Sequence, residues 1–223
     1  MAILLPLTAN LTTISHDILN YNMVFELFAN PVLFLVWFFA LLVAISVHES
    51  SHALAADRLG DPTPRTNGRL TLNPLAHLDP VGTLMLLLTR FGWGKPVPID
   101  PYNLENPRRD SALISVAGPA SNLILAIALS FFAHMSLTLG YLLLPVITLN
   151  VSLAIFNLLP FPPLDGAKIL FGFLPEEIAL ELEEVAEHYG LILLLFLLFP
   201  FSGQSLVSFI ILPIINLILD LLL

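Results

Sequence analysis

A run of apolar residues from Val32 to Val47 leads directly into the pattern His-Glu-Ser-Ser-His at residues 48–52. A helix that begins at Pro31 and continues to about Asp57 would be long enough to cross the hydrocarbon core of a bilayer. Ionisable side chains are costly inside lipid and persist there mainly where they have a function. The chain is therefore constrained to a membrane fold that carries polar chemistry at one end of its first spanning helix.

The two histidines of this pattern are spaced for joint binding of an ion. Residues four apart on a helix share a face, so His48 and His52 can both point at one metal ion. Glu49 follows His48 directly, and its carboxylate can reach a water molecule on that ion. This arrangement is typical of a zinc site with its own general base. We therefore predict one zinc ion held by His48 and His52.

Composition supports the membrane assignment. The chain is 57% hydrophobic and only 11% charged, with a mean hydropathy of +0.89, whereas soluble domains carry about 25% charged residues. We predict an all-α polytopic membrane protein, a bundle of about five to six transmembrane helices with short re-entrant or β-like segments on the cytoplasmic side. We expect one integral-membrane domain over residues 1–223, with core motifs within 31–170 and no signal peptide.

Charge and cysteine content exclude several classes of function. The net charge of −9 gives no support to nucleic-acid binding, which usually needs a basic patch. The chain has no cysteine, so disulfides, cysteine-ligated zinc and thiol catalysis are excluded. Seven of the eight Lys and Arg residues lie between Arg58 and Arg109, and the eighth is Lys168. By the positive-inside rule that loop is cytoplasmic, which puts the metal site near the cytoplasmic side.

A third ligand follows from the order of the spans, because catalytic zinc usually has three protein ligands. The second predicted span, Ser111–Phe132, leaves the cytoplasmic face, and the third, Tyr141–Leu159, returns to it. Asp165 follows a proline-rich break at Pro160–Pro163. Asp165 and His48 should therefore lie at a similar depth, which makes Asp165 the predicted third ligand.

Two segments between the first and second spans are too short or too irregular to cross a membrane. Thr83–Thr89 is apolar and is expected to be buried or re-entrant. Gly92–Pro101 contains prolines at positions 96, 98 and 101, so it cannot form a helix. It is predicted to be extended, with unpaired backbone edges.

Three sequence blocks stand on the three predicted spans in a fixed order: HESSH at 48–52, AGPASN at 117–122 and NLLPFPPLDG at 157–166. Together they resemble the three motifs of the site-2 protease family of intramembrane zinc metalloproteases. The connecting stretches at 68–82 and 92–98 are similar to those of the compact prokaryotic members. The resemblance covers roughly residues 31–200.

The resemblance implies a hydrolase of the prokaryotic cell membrane that carries out regulated intramembrane proteolysis. His48, His52 and Asp165 would ligate the zinc ion. Glu49 would act as general base towards a zinc-bound water and then as general acid. The substrates would be transmembrane proteins in the lipid bilayer, such as anti-sigma factors or membrane-bound regulators. Two departures are the lack of room for a PDZ or CBS domain and Ala167, where many members have a second glycine.

Asn122 has two roles open to it. In the family this asparagine is thought to bind substrate or to stabilise the oxyanion. An interhelical hydrogen bond, common for asparagine in membrane bundles, explains its presence equally well. Asn157 and His77 are weaker candidates, since each could simply satisfy irregular backbone.

A different class of function competes with proteolysis. A zinc-binding membrane protein could serve as a scaffold, or transport or sense metal, without cleaving peptides. A conduit would need polar residues along a whole path across the membrane, whereas the polar residues cluster at the predicted cytoplasmic end. Glu49 is present, so the sequence gives no reason to assume that the hydrolytic chemistry is lost. If a substrate helix unwinds for cleavage, Gly92–Pro101 could pair with it by β-addition.

Overall fold

The protein is described by a computed structural model over residues 30–89, 93–201 and 204–223. Its helices are α1 (Pro31–Arg58), α2 (Thr63–Thr66), α3 (Pro80–Thr89), α4 (Pro107–Ala133), α5 (Leu137–Asn157), α6 (Asp165–Phe173), α7 (Glu176–Leu198) and α8 (Leu206–Leu222). Short 3-10 turns lie at Pro74–Ala76 and Pro101–Asn103. A two-stranded antiparallel hairpin, β1 (Pro200–Phe201) and β2 (Gln204–Ser205), joins α7 to α8. The predicted all-α class is confirmed.

Three helices of the described part are long and apolar enough to cross a membrane: α1, α4 and α5, with 28, 27 and 21 residues. The helix α8 is apolar but shorter, with 17 residues. The second span begins at Pro107, earlier than predicted. Its polar first turn can be helical because a backbone N–H at the helix start finds a hydrogen-bond acceptor within the helix. The carboxylate of Asp110 accepts a hydrogen bond from the Asn106 N–H at 2.8 Å.

The spanning helices pack around a small apolar core and leave an apolar exterior. One buried cluster joins α4, α5 and α8: Ala126, Ala133, Ile147, Val151, Ile155, Ile215 and Leu219. On the outer faces of α1 and α4, Phe39 and Ile124 are 63% and 67% exposed. Large apolar side chains exposed in this number suit contact with lipid better than contact with water.

The chain between α1 and α4 is largely irregular, as predicted. The predicted short apolar piece is the helix α3, which starts three residues earlier, at Pro80. Of the predicted extended segment Gly92–Pro101, residue 92 lies outside the described residues. The described residues 93–100 form no helix, and their regular pairing is a single antiparallel bridge between Leu78 and Gly94.

Candidate metal centre

One face of α1 carries a row of buried residues spaced by four. Ala40 and Ala44 come first, His48 and His52 follow, and Ala56 completes the row. Rows of this spacing form the ridges along which two helices pack. The small alanines allow close approach of a neighbouring helix, and the two imidazoles occupy the same buried face.

A matching row lies on α4, which runs antiparallel to α1. Ile114, Gly118, Asn122, Ala126 and Ser130 are all buried and are again spaced by four. The backbone of this row comes close to the α1 histidines because Gly118 has no side chain. A Cβ built on Gly118 would fall against the rings of both histidines. The space beside the histidines therefore depends on a glycine at this position.

Asp165 reaches the two histidines from the turn between α5 and α6. It is the first residue of α6. Its Oδ2 lies 3.0 Å from Nε2 of His48 and 3.2 Å from Nε2 of His52. The side chains of Asp165, His48 and His52 therefore meet at one place in the bundle. The turn is tight, because a Cβ on the next residue, Gly166, would clash with the carbonyls of Leu158 and Leu159.

Asp165 supplies the carboxylate of this donor set. A carboxylate oxygen is a suitable ligand for a divalent cation such as zinc.

The outer nitrogen of each imidazole has its own acceptor. Nδ1 of His48 lies 2.6 Å from Oδ1 of Asn122, and Nδ1 of His52 lies 2.7 Å from the carbonyl oxygen of Ile114. A carbonyl oxygen can only accept, so Nδ1 of His52 carries the proton. Such partners fix the tautomer that leaves the Nε2 lone pair free for a metal.

The donor set fits zinc in type and in spacing. Two imidazole nitrogens and one carboxylate oxygen lie within 4.8 Å of one another, and three protein ligands are the number that catalytic zinc usually has. Tetrahedral zinc with ligand distances of 2.0–2.2 Å would hold its ligand atoms roughly 3.3–3.6 Å apart. The separations between Oδ2 of Asp165 and the two Nε2 atoms, 3.0 and 3.2 Å, differ from this by only a few tenths of an ångström.

Replacing Gly118 with alanine should damage this centre. The new Cβ would lie 2.6 Å from Cε1 of His52 and 2.8 Å from Cε1 of His48, so both rings would have to move. We expect zinc affinity, measured by chelator competition, to fall by about 10-fold or more, by analogy with lost ligand support. Gly140→Ala is the matched control, since its Cβ would meet only the Ala133 carbonyl, at 3.3 Å. Zinc binding unchanged by Gly118→Ala would contradict this geometry.

Glu49 lies close to the irregular chain that follows α3. A Cβ built on Gly94 would lie 3.7 Å from Oε1 of Glu49, so the carboxylate stands beside the start of the segment 94–100. Glu49 is half-buried, unlike the largely buried His48 and His52. Glu49 therefore adjoins the ligand residue His48 in sequence and this segment in space.

Hydrogen bonds from a buried arginine hold the beginning of the segment 94–100. Nη2 of Arg69 donates to the carbonyl oxygens of Lys95 and Pro96, the second at 3.0 Å. The N–H of Lys95 donates to the carbonyl of His77 at 2.8 Å. Burial lowers the pKa of Arg69, while attraction to the Glu49 carboxylate opposes that effect. Arginine stays charged regardless.

Hydrogen bonds to Asp61, a fully buried residue that follows α1, hold the far end of the segment. It accepts hydrogen bonds from the Asp100 N–H at 2.8 Å and from Nδ2 of Asn103 at 2.9 Å. Arg69 and Asp61 thus hold the segment at both ends. Between them, the N–H groups of Val97 and Ile99 make no hydrogen bond to any other described residue.

The other residues considered from sequence lie away from the three ligands. His77 is fully buried and its Nε2 bonds the Thr71 carbonyl. Nδ2 of Asn157 bonds the carbonyl four residues earlier in its own helix. His134 and His188 are exposed, and His16 lies outside the described residues.

The structure also adds residues that the sequence analysis did not single out. These are Arg69, Asp61 and Asn150, the last in contact with Asn122. A polar residue in the middle of an apolar span is itself a signal, which could have drawn attention to Asn150. Arg69 and Asp61 sit in irregular chain and match no periodic pattern.

A polar centre of this kind, buried among spanning helices and fitted for zinc, defines a membrane-embedded metal site of the type found in zinc enzymes. Comparisons with known proteins agree. The model of Peptidase family M50 matches residues 133–199. A Bacillus subtilis (strain 168) protein named "Putative zinc metalloprotease YwhC" is 38% identical over 188 residues, covering 79% of this chain and 84% of that protein.

Two mycobacterial proteins named "Putative zinc metalloprotease Rip2" are also similar. The one from Mycolicibacterium smegmatis is 34% identical over 172 residues, covering 71% of this chain and 65% of its own length. For the one from Mycobacterium tuberculosis H37Rv the identity is 34% over 169 residues, with 70% and 63% covered. No solved structure matches the chain. The chain belongs to peptidase family M50, the site-2 protease family, and is an integral membrane protein.

Proposed function

We propose that this protein is an intramembrane protease that hydrolyses peptide bonds within or near the transmembrane segments of other membrane proteins. The observation that carries the proposal is the position of Glu49. Glu49 directly follows the proposed ligand His48 at the end of a spanning helix, and its carboxylate stands beside a segment of irregular backbone that is held at both ends. A general base next to a surface that could hold an extended peptide is what peptide hydrolysis requires.

We assign the metal ligands as Nε2 of His48, Nε2 of His52 and a carboxylate oxygen of Asp165. Zinc bound there would supply Lewis-acid polarisation of the scissile carbonyl. The protein's own contribution is to fix these three atoms on one helix, α1, and on the tight turn at the start of α6. A site held in advance loses little free energy to reorganisation during the reaction.

Glu49 is assigned as the group that moves the proton. Its carboxylate would take a proton from the attacking water and then give it to the leaving amine nitrogen. The half-buried position leaves the carboxylate reachable from the segment 94–100. For Asn122, hydrogen bonds occupy all of its amide groups, which favours support of His48 over contact with substrate.

The segment 94–100 is proposed to bind an unwound stretch of the substrate. Pro96 and Pro98 have no N–H, whereas Val97 and Ile99 alternate with them and keep theirs. In an extended chain, alternate residues direct their backbone N–H and C=O groups towards the same edge. The edge formed by Val97 and Ile99 can therefore pair with a substrate strand and replace hydrogen bonds lost when its helix unwinds.

Val97→Pro tests this proposal, because it removes one of the two free N–H groups. We expect the cleavage of a model single-pass helix to fall about 10-fold, the effect of losing one net hydrogen bond of about 1–1.5 kcal/mol. Val97→Ala keeps the N–H and should cleave nearly as fast as the wild type. If Val97→Pro binds zinc and cleaves like Val97→Ala, this segment does not bind substrate.

We further propose that the centre opens towards the cytoplasm of a prokaryotic cell membrane. All eight Lys and Arg residues lie between Arg58 and Lys168; five precede the second span, and Arg108 and Arg109 lie in its first turn. That distribution supports a cytoplasmic position for the loop that contains the segment 94–100. Single-pass membrane proteins, including anti-sigma factors and membrane-bound regulators, are the substrates proposed from the family resemblance.

A further inference from the structure

Two asparagines meet deep inside the bundle of spanning helices. Asn122 on α4 and Asn150 on α5 are both fully buried. Nδ2 of Asn122 donates to Oδ1 of Asn150 at 2.7 Å and to the carbonyl of Ala44 at 3.0 Å. Nδ2 of Asn150 donates to the carbonyl of Val146 at 2.8 Å. Buried amides satisfied this fully are held in one orientation.

Two backbone carbonyls in this network can only accept, and they determine which amide atoms donate and which accept. The Val146 carbonyl can only accept, so it must face the NH₂ group of Asn150, which turns Oδ1 of Asn150 towards Asn122. That oxygen and the Ala44 carbonyl both require donors, so they fix the NH₂ group of Asn122. The remaining atom, Oδ1 of Asn122, then faces Nδ1 of His48 at 2.6 Å.

An acceptor at Nδ1 sets the state of the imidazole. Nδ1 of His48 must carry a proton to donate to Asn122, which leaves the lone pair on Nε2, the nitrogen that faces Asp165 at 3.0 Å. The order of contacts is therefore Val146 carbonyl, Asn150, Asn122, His48 and the metal position. Each contact determines the orientation of the next.

We propose that Asn150 is a positioning residue of the metal centre, which acts through Asn122 to hold the imidazole of His48 with Nε2 directed at zinc. This inference rests on the proposed assignment of His48 as a zinc ligand. Asn150 makes hydrogen bonds to Asn122 and to the Val146 carbonyl and none to His48. Its hydrogen-bonded path to the metal position therefore passes through Asn122.

The test measures zinc affinity by chelator competition on the full chain purified in detergent. The variants are Asn122→Leu, Asn150→Leu and the double variant, with Asn150→Ala as a second replacement should the leucine not fit. Lost support of a metal ligand typically lowers affinity 10–100-fold, which we expect for Asn122→Leu. For either Asn150 variant we expect a loss of about 10-fold, the lower end of that range.

The double variant distinguishes positioning from a general effect on packing. If Asn150 acts through Asn122, the double variant should bind zinc as weakly as Asn122→Leu alone. Thr148→Val is the matched control on the same helix. Thr148 is fully buried, and its Oγ1 has no hydrogen-bond partner among the described residues. Its replacement should leave zinc affinity unchanged.

The outcomes separate this inference from the proposed function. Asn150 variants with wild-type zinc affinity would overturn the inference while the metal centre stands. The same holds if the Asn150 and Asn122 effects multiply in the double variant. A wild-type chain that binds no zinc would overturn the metal centre, and the inference with it.

Discussion

Glu49→Gln should lower the cleavage of a transmembrane substrate by at least about 10²–10⁴-fold, the contribution typical of a general acid–base group. Glutamine keeps the shape of the side chain but cannot accept the proton of the attacking water. Glu49 is not among the three residues whose donor atoms converge on the metal position. Zinc content should therefore stay at the wild-type level, measured in the same preparation as cleavage.

Glu105→Gln provides the control for this replacement, because Glu105 is exposed and lies outside the spanning helices. It should cleave at the wild-type rate. Substantial cleavage by Glu49→Gln would assign proton transfer to another group. Loss of zinc together with cleavage would show that Glu49 supports the metal rather than the chemistry.

Asp165→Asn should lower zinc affinity by more than the 10–100-fold expected for a residue that only supports a ligand. The amide oxygen of asparagine is neutral, so the charge attraction to zinc and the carboxylate ligand are both lost. The carboxylate oxygen Oδ2 of Asp165 also lies 3.0 Å from Nε2 of His48 and 3.2 Å from Nε2 of His52. Chelator competition measures the affinity directly, without reference to cleavage.

Asp57→Asn is the matched control, since Asp57 pairs with Arg65 at the end of α1 and contacts no metal-site residue in the described structure. Its replacement should leave zinc affinity unchanged. Zinc bound equally well by Asp165→Asn and wild type would remove Asp165 from the ligand set.

The metal centre could be predicted from sequence because its geometry follows from helix periodicity and span order. His48 and His52 share a face by their spacing alone. The position of Asp165 follows from the number of spans, since an even number of crossings returns the chain to the same side. Both arguments need only local patterns and the bilayer, and the structure brings the three residues together.

The role of Asn122 could not be settled from sequence because it depends on contacts with two other helices. Its amide bonds His48, the Ala44 carbonyl and Asn150, which belong to α1 and α5. The same limitation applies to Arg69, which donates hydrogen bonds to carbonyls 26 and 27 residues away in the chain. Contacts of this range carry no periodic signal.

The most direct test of the account measures zinc and cleavage in one preparation, before and after the metal is removed by a chelator. We predict one zinc per chain, loss of cleavage of a model single-pass helix when zinc is removed, and recovery when zinc is restored. Cleavage that persists in the metal-free protein would contradict the account. Zinc present at one per chain without cleavage of any transmembrane substrate would contradict the proteolytic function and favour a non-proteolytic zinc protein.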